Sequence, residues 1–140
     1  MEDDVNVSGD LNNWTLLNRA EKEVYKKILA GLTLLDTMQG GDGMPLIARQ
    51  VSNRQARTVL SFMGMMEEIH AKSYSRIFST LCTKSEIDQL FQWVEEHPLL
   101  QKKVELILPY YRGIKDDQSL YLAMVASVFL ESFLFYSGFY

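Results

Sequence analysis

Hydrophobic residues recur along the chain in runs whose length and spacing predict helices rather than strands. The most informative run, 61–81 (SFMGMMEEIHAKSYSRIFSTL), mixes apolar and polar residues at helical spacing and contains no proline. A second run, 28–38 (ILAGLTLLDTM), contains a single charged residue, Asp36. A third run covers 120–140 and contains only Glu131 as a charged residue. This pattern predicts an all-α fold, a bundle in which the three apolar helices pack together.

Capping residues and helix breakers predict where each helix begins and ends. Asn18 with Glu21 has the spacing of a cap at the start of the first long helix, which we expect to end at the glycine-rich segment 40–43. The sequence TKSE, from Thr83, has the same spacing at the start of a later helix. Residues 1–17 are polar, with scattered glycine and asparagine, and predict an extended lead-in. The helices expected are 18–39, 53–81, 84–97, 99–111 and 118–140, with a short helical turn over 45–51.

Length and composition restrict the class of protein. The chain has 140 residues, of which 47% are hydrophobic and 23% are charged, so it can form one globular domain with a substantial core. Its formal net charge is −4 and no stretch is strongly basic, which argues against nucleic-acid binding. The acidic start, MEDDVNVSGD, is no signal peptide, and the single cysteine, Cys82, suits a reducing compartment. These features predict a cytoplasmic protein.

The last apolar run is long enough to pass for a membrane span. Its one charge, Glu131, lies in the middle of the run, where a lipid bilayer strongly disfavours a carboxylate. The run also lacks the basic flank that sets the orientation of a membrane helix. We therefore expect the central helix of a large bundle and no association with a membrane.

Isolated carboxylates in the three apolar runs predict a metal site. A carboxylate among apolar neighbours is unfavourable unless it is paired, hydrogen-bonded or bound to a metal, and Asp36, Glu67 and Glu131 all have such neighbours. On a helix, Glu67 and His70 lie about 60° apart around the axis, so both can reach one ion. Tyr74 lies within about 20° of Glu67, on the same face. Single carboxylates together with a Glu-x-x-His motif are the ligands of di-metal carboxylate bundles.

Each of these residues also has a plainer interpretation. A Glu-x-x-His pair is common on helix surfaces that face water, and Asp36 could be a rim residue near the end of its helix. A complete di-metal site needs a second Glu-x-x-His, which the sequence lacks. The only other histidine, His97, lies at a helix end before Pro98 and is expected to be solvated. From the residues alone, a metal site and a solvated surface pair are both open.

Several segments resemble the small, radical-bearing subunit of class Ib ribonucleotide reductase. The segments that carry this resemblance are GLTLLDTMQ at 31–39, SFMGMMEEIHAKSYSRIFSTLC at 61–82 and ASVFLESFLFYSGF at 126–139, and HPLLQKKVELILPYYRG at 97–113 is similar to the connecting region. The resemblance extends over nearly the whole chain from Trp14 onward. It implies a ferritin-like helical bundle over 18–140.

The resemblance also implies a role for each candidate residue. The tyrosine that becomes a stable radical matches Tyr74, and the family's metal ligands match Asp36, Glu67, His70 and Glu131. The implied cofactor is a di-manganese or di-iron centre, with a flavodoxin-like activator serving the manganese form. The radical then passes to a cysteine of the large catalytic subunit, which reduces ribonucleotides to deoxyribonucleotides. Apolar residues are expected to shield the radical from water, and the candidates are Phe62, Ile77, Phe78, Phe129 and Phe135.

The sequence departs from the family pattern at both ends. It lacks the family's N-terminal region, the helix with the second Glu-x-x-His and the tail that docks on the large subunit. We therefore expect 18–140 to be a partial bundle, truncated at its C-terminus, that needs the missing C-terminal portion to hold metal and to form the family's homodimer. We expect no stable di-metal centre and no tyrosyl radical in the isolated chain. Two alternatives are a non-catalytic helical interaction protein and another di-metal carboxylate protein, such as an iron-storing bundle, although Tyr74 argues against storage.

Overall fold

The fold is a set of packed α-helices. The structure, a computed structural model, describes residues 6–139 of the chain, and the regular elements within that range are helical, as predicted. A 3₁₀ helix (Val7–Asp10) comes first, and π-helical turns at Gln39–Gly43 and Leu130–Leu134 lie within two of the longer helical paths. The α-helices, in chain order, are α1 (Leu11–Leu16), α2 (Arg19–Met38), α3 (Met44–Gln50), α4 (Arg54–Leu81), α5 (Lys84–Glu96), α6 (Pro98–Arg112), α7 (Asp117–Phe129) and α8 (Tyr136–Phe139).

Side-chain caps begin the helices where the sequence predicts them. At the start of α2, the Asn18 side chain accepts a hydrogen bond from the Glu21 N–H at 3.0 Å, and the Glu21 carboxylate accepts one from the Asn18 N–H at 2.8 Å. Thr83 and Glu86 form the same reciprocal pair at the start of α5. Asn53 begins α4 by accepting a hydrogen bond from a backbone N–H of the first turn. These bonds satisfy helix-terminal donors that would otherwise lack a partner, and they confirm the predicted starts.

The start of the chain is helical, and the prediction of an extended lead-in is wrong for 7–16. The Asn6 side chain accepts a hydrogen bond from the Ser8 N–H and so begins the 3₁₀ helix, which leads directly into α1. The Trp14 ring of α1 packs edge-on against Tyr25 of α2, with the ring centroids 6.4 Å apart. This contact packs α1 against α2 and so stabilises the helical conformation of the first described residues. Residues 1–5 of the predicted lead-in lie outside the described residues.

The glycine-rich segment continues the first long helix, contrary to the prediction that it would end it. α2 passes through the π turn Gln39–Gly43 directly into α3. A Cβ atom on Gly40 would lie 3.0 Å from the Glu67 Cβ, and one on Gly64 would lie 3.2 Å from the Met44 Cβ. The glycines therefore allow the α2–α3 path to approach α4 closely. No glycine in the described part of the chain adopts the left-handed conformation that ends many helices.

Two clusters of buried apolar side chains hold the helices together. The larger cluster lies between α2, α3, α6 and α7, and its most deeply buried large residues are Leu35, Ile47, Tyr111 and Leu130. The smaller cluster joins α2 and α4 to α5, and its buried members are Ala30, Phe78, Leu90 and Val94. Because apolar burial is the main favourable contribution to folding, these clusters fix α2 against α4. Those two helices carry three of the four predicted metal ligands, Asp36, Glu67 and His70.

His97 lies half-buried between two helices, and the prediction that it is solvated is wrong for its Nδ1 atom. His97 is the C-cap residue of α5 and also the N-cap residue of α6, whose first residue is Pro98. Its Nδ1 atom is buried and has no hydrogen-bond partner within the described range 6–139. Its ring packs edge-on against Trp93 with the centroids 4.7 Å apart. The very short connection between α5 and α6 thus keeps the imidazole against the protein.

The continuous helical path formed by α7, the π turn after it and α8 is apolar, and the rest of the chain covers only part of it. Asp116 begins α7 by accepting a hydrogen bond from the Ser119 N–H at 2.8 Å. The path Asp117–Gly138 is long and apolar enough to cross a membrane by length and composition, and 28% of its most apolar window is buried within the chain. Tyr140 of the predicted helix lies outside the described residues. One face of the path packs on α6, and large apolar side chains on the other face are exposed, namely Tyr121, Val128, Phe129, Phe133 and Tyr136.

Candidate metal centre

Three of the predicted metal ligands meet at the contact between α2 and α4. Asp36 comes from the last turn of α2, and Glu67 and His70 come from α4. One ligand atom from each of the three lies within 4.8 Å of the others. Asp36 is 3% exposed and Glu67 is 9% exposed, so both carboxylates are largely removed from water. The spacing of three residues in the Glu-x-x-His motif directs both side chains of α4 toward α2.

The His70 imidazole connects the two carboxylates. Its Nδ1 atom lies 3.1 Å from Glu67 Oε2 and 3.7 Å from Asp36 Oδ2. The histidine side chain is 48% exposed, so part of the ring faces solvent. A ring nitrogen this close to two carboxylates is placed to join them in binding one divalent cation.

The electrostatics of the cluster favour an added cation. Burial and the nearby charge of Glu67 raise the pKa of Asp36 to about 6, and they outweigh the opposing effects of His70 and Tyr74. Two buried carboxylates repel each other, and a divalent cation between them would relieve both the repulsion and the cost of burial. Carboxylate oxygens combined with an imidazole nitrogen are suitable donors for divalent manganese or iron.

Glu131, the fourth predicted ligand, lies outside this group of three. It belongs to the π turn that follows α7, and the residue as a whole is exposed. Its carboxyl group is nevertheless desolvated, and this burial, together with the charges of Glu67 and Asp36, raises its pKa to about 7. The carboxylate is therefore coupled to the cluster electrostatically, although it does not join the three residues whose ligand atoms lie together.

The Tyr74 side chain lies beside the cluster. It is half-buried between the apolar residues of both core clusters. Burial, followed by the charge of Asp36, raises the pKa of the Tyr74 phenol far above its ordinary value. The phenol is therefore protonated at neutral pH.

The structure contains a buried polar network beside the cluster that was not predicted from the sequence. The Gln39 side chain, which is 1% exposed, accepts a hydrogen bond from the Tyr111 hydroxyl at 2.5 Å and donates one to Ser127 Oγ at 2.7 Å. Sequence spacing is the signal that could have revealed it. Gln39 follows Asp36 by three residues, and Ser127 precedes Glu131 by four, so each shares a helix face with a candidate ligand.

The apolar residues expected to shield Tyr74 are divided between the core and the surface. Phe78 and Phe135 are 2% and 3% exposed, in agreement with the expectation. Phe62 and Phe129 are each 57% exposed, so the expectation that they form a buried wall is wrong for the described residues. Helix geometry explains Phe62, because it lies about 120° around the axis of α4 from Tyr74.

Comparison with proteins of known sequence identifies relatives of the chain. The family model for the ribonucleotide reductase small chain matches residues 1–140. The ribonucleoside-diphosphate reductase subunit beta of Bacillus subtilis is 52% identical over 143 residues, and subunit beta nrdF2 of Mycobacterium tuberculosis is 48% identical over 136 residues. The chain spans 44% of the first relative and 41% of the second, which is less than half of each.

Solved structures show the same relationship. The dimanganese(II)-NrdF protein of Streptococcus sanguinis matches with a TM-score of 0.90 and 44% identity, over 99% of this chain and 48% of that protein. The ribonucleotide reductase R2 subunit of Clostridium botulinum matches with a TM-score of 0.87 and 26% identity, over 99% of this chain and 44% of that subunit. Because the family model covers every residue and a bacterial β subunit is identical at 52% of positions, this chain belongs to the small-chain family of ribonucleotide reductase.

Proposed function

We propose that this chain forms the metal-binding part of a ribonucleotide reductase small subunit. In the cytoplasm, that subunit would start the reduction of ribonucleotides to deoxyribonucleotides by a large catalytic subunit. The observation that carries the proposal is the meeting of Asp36, Glu67 and His70 within 4.8 Å, in a chain that matches the family along its whole length. The chain spans 44% of its Bacillus subtilis relative, and we propose that a counterpart of the rest supplies the remaining ligands.

The residues present fit a pair of divalent metal ions. The chain would contribute one imidazole and three carboxylates, from His70, Asp36, Glu67 and Glu131. Burial, followed by the nearby charge of Glu67, raises the pKa of both Asp36 and Glu131, so the site carries buried negative charge that a cation would neutralise. A di-manganese or di-iron centre suits these donors, and the dimanganese(II) form of the Streptococcus sanguinis relative supports manganese. When bound and oxidised, the metal pair supplies the one-electron oxidising power that a phenol requires.

Tyr74 is the residue that would hold the radical. A phenol that loses one electron becomes strongly acidic, so its proton leaves the hydroxyl oxygen with the electron. The Asp36 carboxylate, whose charge acts on the Tyr74 phenol, is the acceptor that we propose for this proton. One electron and one proton thus leave the side chain, and a neutral phenoxyl radical is left. Its half-buried position, against both apolar clusters, limits access of water and reductants.

The proposed function requires partners beyond this chain. The large catalytic subunit would receive the oxidising equivalent, and a flavodoxin-like activator would serve a manganese centre. The rest of the small subunit would cover the exposed apolar face formed by α7 and the π turn after it, which includes Val128, Phe129 and Phe133. A complete small subunit of this kind would form a homodimer.

A chimeric small subunit tests the proposal. In it, this chain replaces the matching segment of the Bacillus subtilis relative, which is 52% identical and therefore a compatible host. With manganese, oxygen and the host's activator, we expect a tyrosyl radical in electron paramagnetic resonance (EPR) spectra and ribonucleotide reduction with the host's large subunit. Tyr74→Phe should abolish the radical, whereas Tyr110→Phe, at a 47% exposed tyrosine, should preserve it. A chimera that folds but binds no manganese would refute the proposed function.

The isolated chain provides a second test. We expect it to show neither a stable metal pair nor a tyrosyl radical, because the ligands that it would contribute do not complete a two-metal site. EPR spectroscopy of the metal-loaded chain measures this directly. A radical signal that disappears in Tyr74→Phe would contradict the expectation and would show that the chain assembles the centre unaided.

A further inference from the structure

The groove between α2 and α5 is rich in positive charge. Although the formal net charge of the chain is −4, the wall of the groove on α2 carries four cationic side chains, Arg19, Lys22, Lys26 and Lys27. The cavity has a volume of about 540 Å³, which lies in the range of small-molecule sites. Residues 19, 22 and 26 share one face of the helix, because they are three and four positions apart. The first half of α2 thus presents a positive wall to α5.

Carboxylates neutralise only one of these four cations. Lys26 Nζ lies 2.5 Å from Glu23 Oε1 and 3.4 Å from Glu86 Oε1, and these two glutamates are the acidic residues that line the groove. The other three cations take part in none of the ion pairs within residues 6–139. With four positive and two negative side chains, the groove has a net positive charge at neutral pH.

Two of the three unpaired cations lie over aromatic rings. The Lys22 ammonium group is 5.9 Å from the centroid of the Trp14 ring. The Lys27 ammonium group is 5.0 Å from the centroid of the Trp93 ring, which itself lines the groove. A cation–π contact orients an ammonium group without neutralising its charge. These charges are therefore held at the groove before a ligand arrives, which lowers the entropic cost of binding an anion.

We propose that this groove binds a compact anion with two or more phosphate groups. Lysine and arginine donate charge-assisted hydrogen bonds to phosphate oxygens, and a positively charged cleft concentrates anionic ligands. Arg19 and Lys27 are about 12 Å apart along the helix axis, so linked phosphates contact more of the cations than a single phosphate does. Charged residues are depleted in the cores of protein interfaces, so this wall suits a small anion better than a protein segment. The groove is separate from the proposed metal centre, whose α2 ligand, Asp36, lies in the last turn of that helix.

The test is calorimetric titration of the metal-free chimeric subunit with inorganic phosphate, diphosphate and triphosphate. We expect the affinity to rise with the number of phosphate groups and to fall as the salt concentration increases. The double variant Lys22→Gln, Lys27→Gln should bind triphosphate at least about tenfold more weakly, which is the loss expected for one charge-assisted hydrogen bond. The matched control is Lys102→Gln, Lys115→Gln, which removes the same charge from exposed lysines outside the groove. It should weaken binding by less than about twofold, because solvent screens distant charges.

Titration with adenosine diphosphate (ADP) identifies the source of the phosphate groups. Equal affinities for ADP and inorganic diphosphate would show that the groove recognises the phosphates alone, whereas tighter binding of ADP would show that it recognises a nucleotide. Both results support the proposal. We expect equal affinities, because Lys27 already lies over the Trp93 ring, on which a base could otherwise stack.

Three results would overturn the proposal: no binding of triphosphate, equal losses in the double variant and its control, or tighter binding of a hexaglutamate peptide than of triphosphate. The last result would assign the groove to an acidic protein segment. If the double variant fails to fold, Arg19→Gln decides, because Arg19 is exposed at the first position of α2. Unchanged triphosphate affinity in that variant would then overturn the proposal. None of these titrations uses manganese, so their failure would leave the proposed function intact.

Discussion

The Nδ1 atom of His70 lies 3.7 Å from Oδ2 of Asp36, across the contact between α4 and α2. This contact joins two residues that are proposed to hold metal. Because the two side chains come from different helices, the contact requires close helix packing. Gly40 and Gly64 permit that packing, since a Cβ atom on either would lie within 3.2 Å of a side chain from the facing helix.

Asp36→Asn should weaken manganese binding to the chimeric subunit by at least about tenfold, which is the smallest loss typical when even a group that only orients a metal ligand is replaced. The amide preserves the shape of the side chain but removes one negative charge from the site. Isothermal titration with manganese measures the affinity. Asp42→Asn is the matched control, because the Asp42 side chain is 40% exposed and pairs with Arg112 at 3.4 Å, away from the cluster of three ligands. Equal affinities of the two variants would rule out Asp36 as a ligand.

The metal-free chain should become less stable as the pH rises from about 4 to about 6. The pKa of Asp36 is raised in the folded state from 3.8 to about 6, so in this window the folded chain holds more protons than the unfolded chain. The stabilising contribution is fully present below the unfolded pKa and is lost as the pH passes the folded value. Its size is on the order of 2 kcal/mol or less. Urea denaturation at several pH values measures it, and Asp36→Asn should flatten the dependence.

Metal binding should have the opposite dependence on pH. Ligand carboxylates must be deprotonated, and the pKa values of Asp36 and Glu131 are raised to about 6 and about 7. Manganese affinity of the chimeric subunit should therefore fall by about tenfold or more as the pH decreases from 8 to 6. Glu131→Gln should bind more weakly at pH 8 and lose most of this dependence. An affinity that does not change between these pH values would exclude both carboxylates as ligands.

Two alanine substitutions in one π turn should have opposite effects. Gly43→Ala would place a Cβ atom 2.6 Å from Gln39 Oε1, so we expect a loss of about 1–3 kcal/mol in the free energy of unfolding. Gly41→Ala meets nothing within 4 Å and should be neutral or stabilising by up to about 1 kcal/mol, because alanine favours helix. Urea denaturation distinguishes them. Similar stabilities would show that the space around Gln39 is less restricted than the distances indicate.

Helix starts can be predicted from this sequence because capping is local. Asn18 and Glu21 are three residues apart, and their reciprocal hydrogen bonds depend on little else. The candidate ligands are partly predictable for a related reason. Asp36 and Glu67 are conspicuous among apolar neighbours, and helical spacing alone places His70 beside Glu67.

The remaining features depend on what packs against each residue. Glycine can end a helix, and it can also allow two helices to approach closely. At Gly40 the second role applies, because α4 packs directly against this position. The Gln39–Ser127 bond joins residues 88 positions apart, so no local pattern encodes it. Exposure of Phe129 likewise follows from which elements cover α7, which the sequence of that helix does not specify.

The π turn Gln39–Gly43 also fits one extra residue between two helices without changing how they pack. A π turn is equivalent to a one-residue insertion in an otherwise continuous helix, because the wider turn absorbs the additional residue. The helix α3 therefore keeps the rotation about the axis that a regular helix would give it, and Met44 and Ile47 stay in the core, 2% and 1% exposed. During evolution this segment can accept a change of residue at Gly41, where a side chain has room, without any change in the packing of α3.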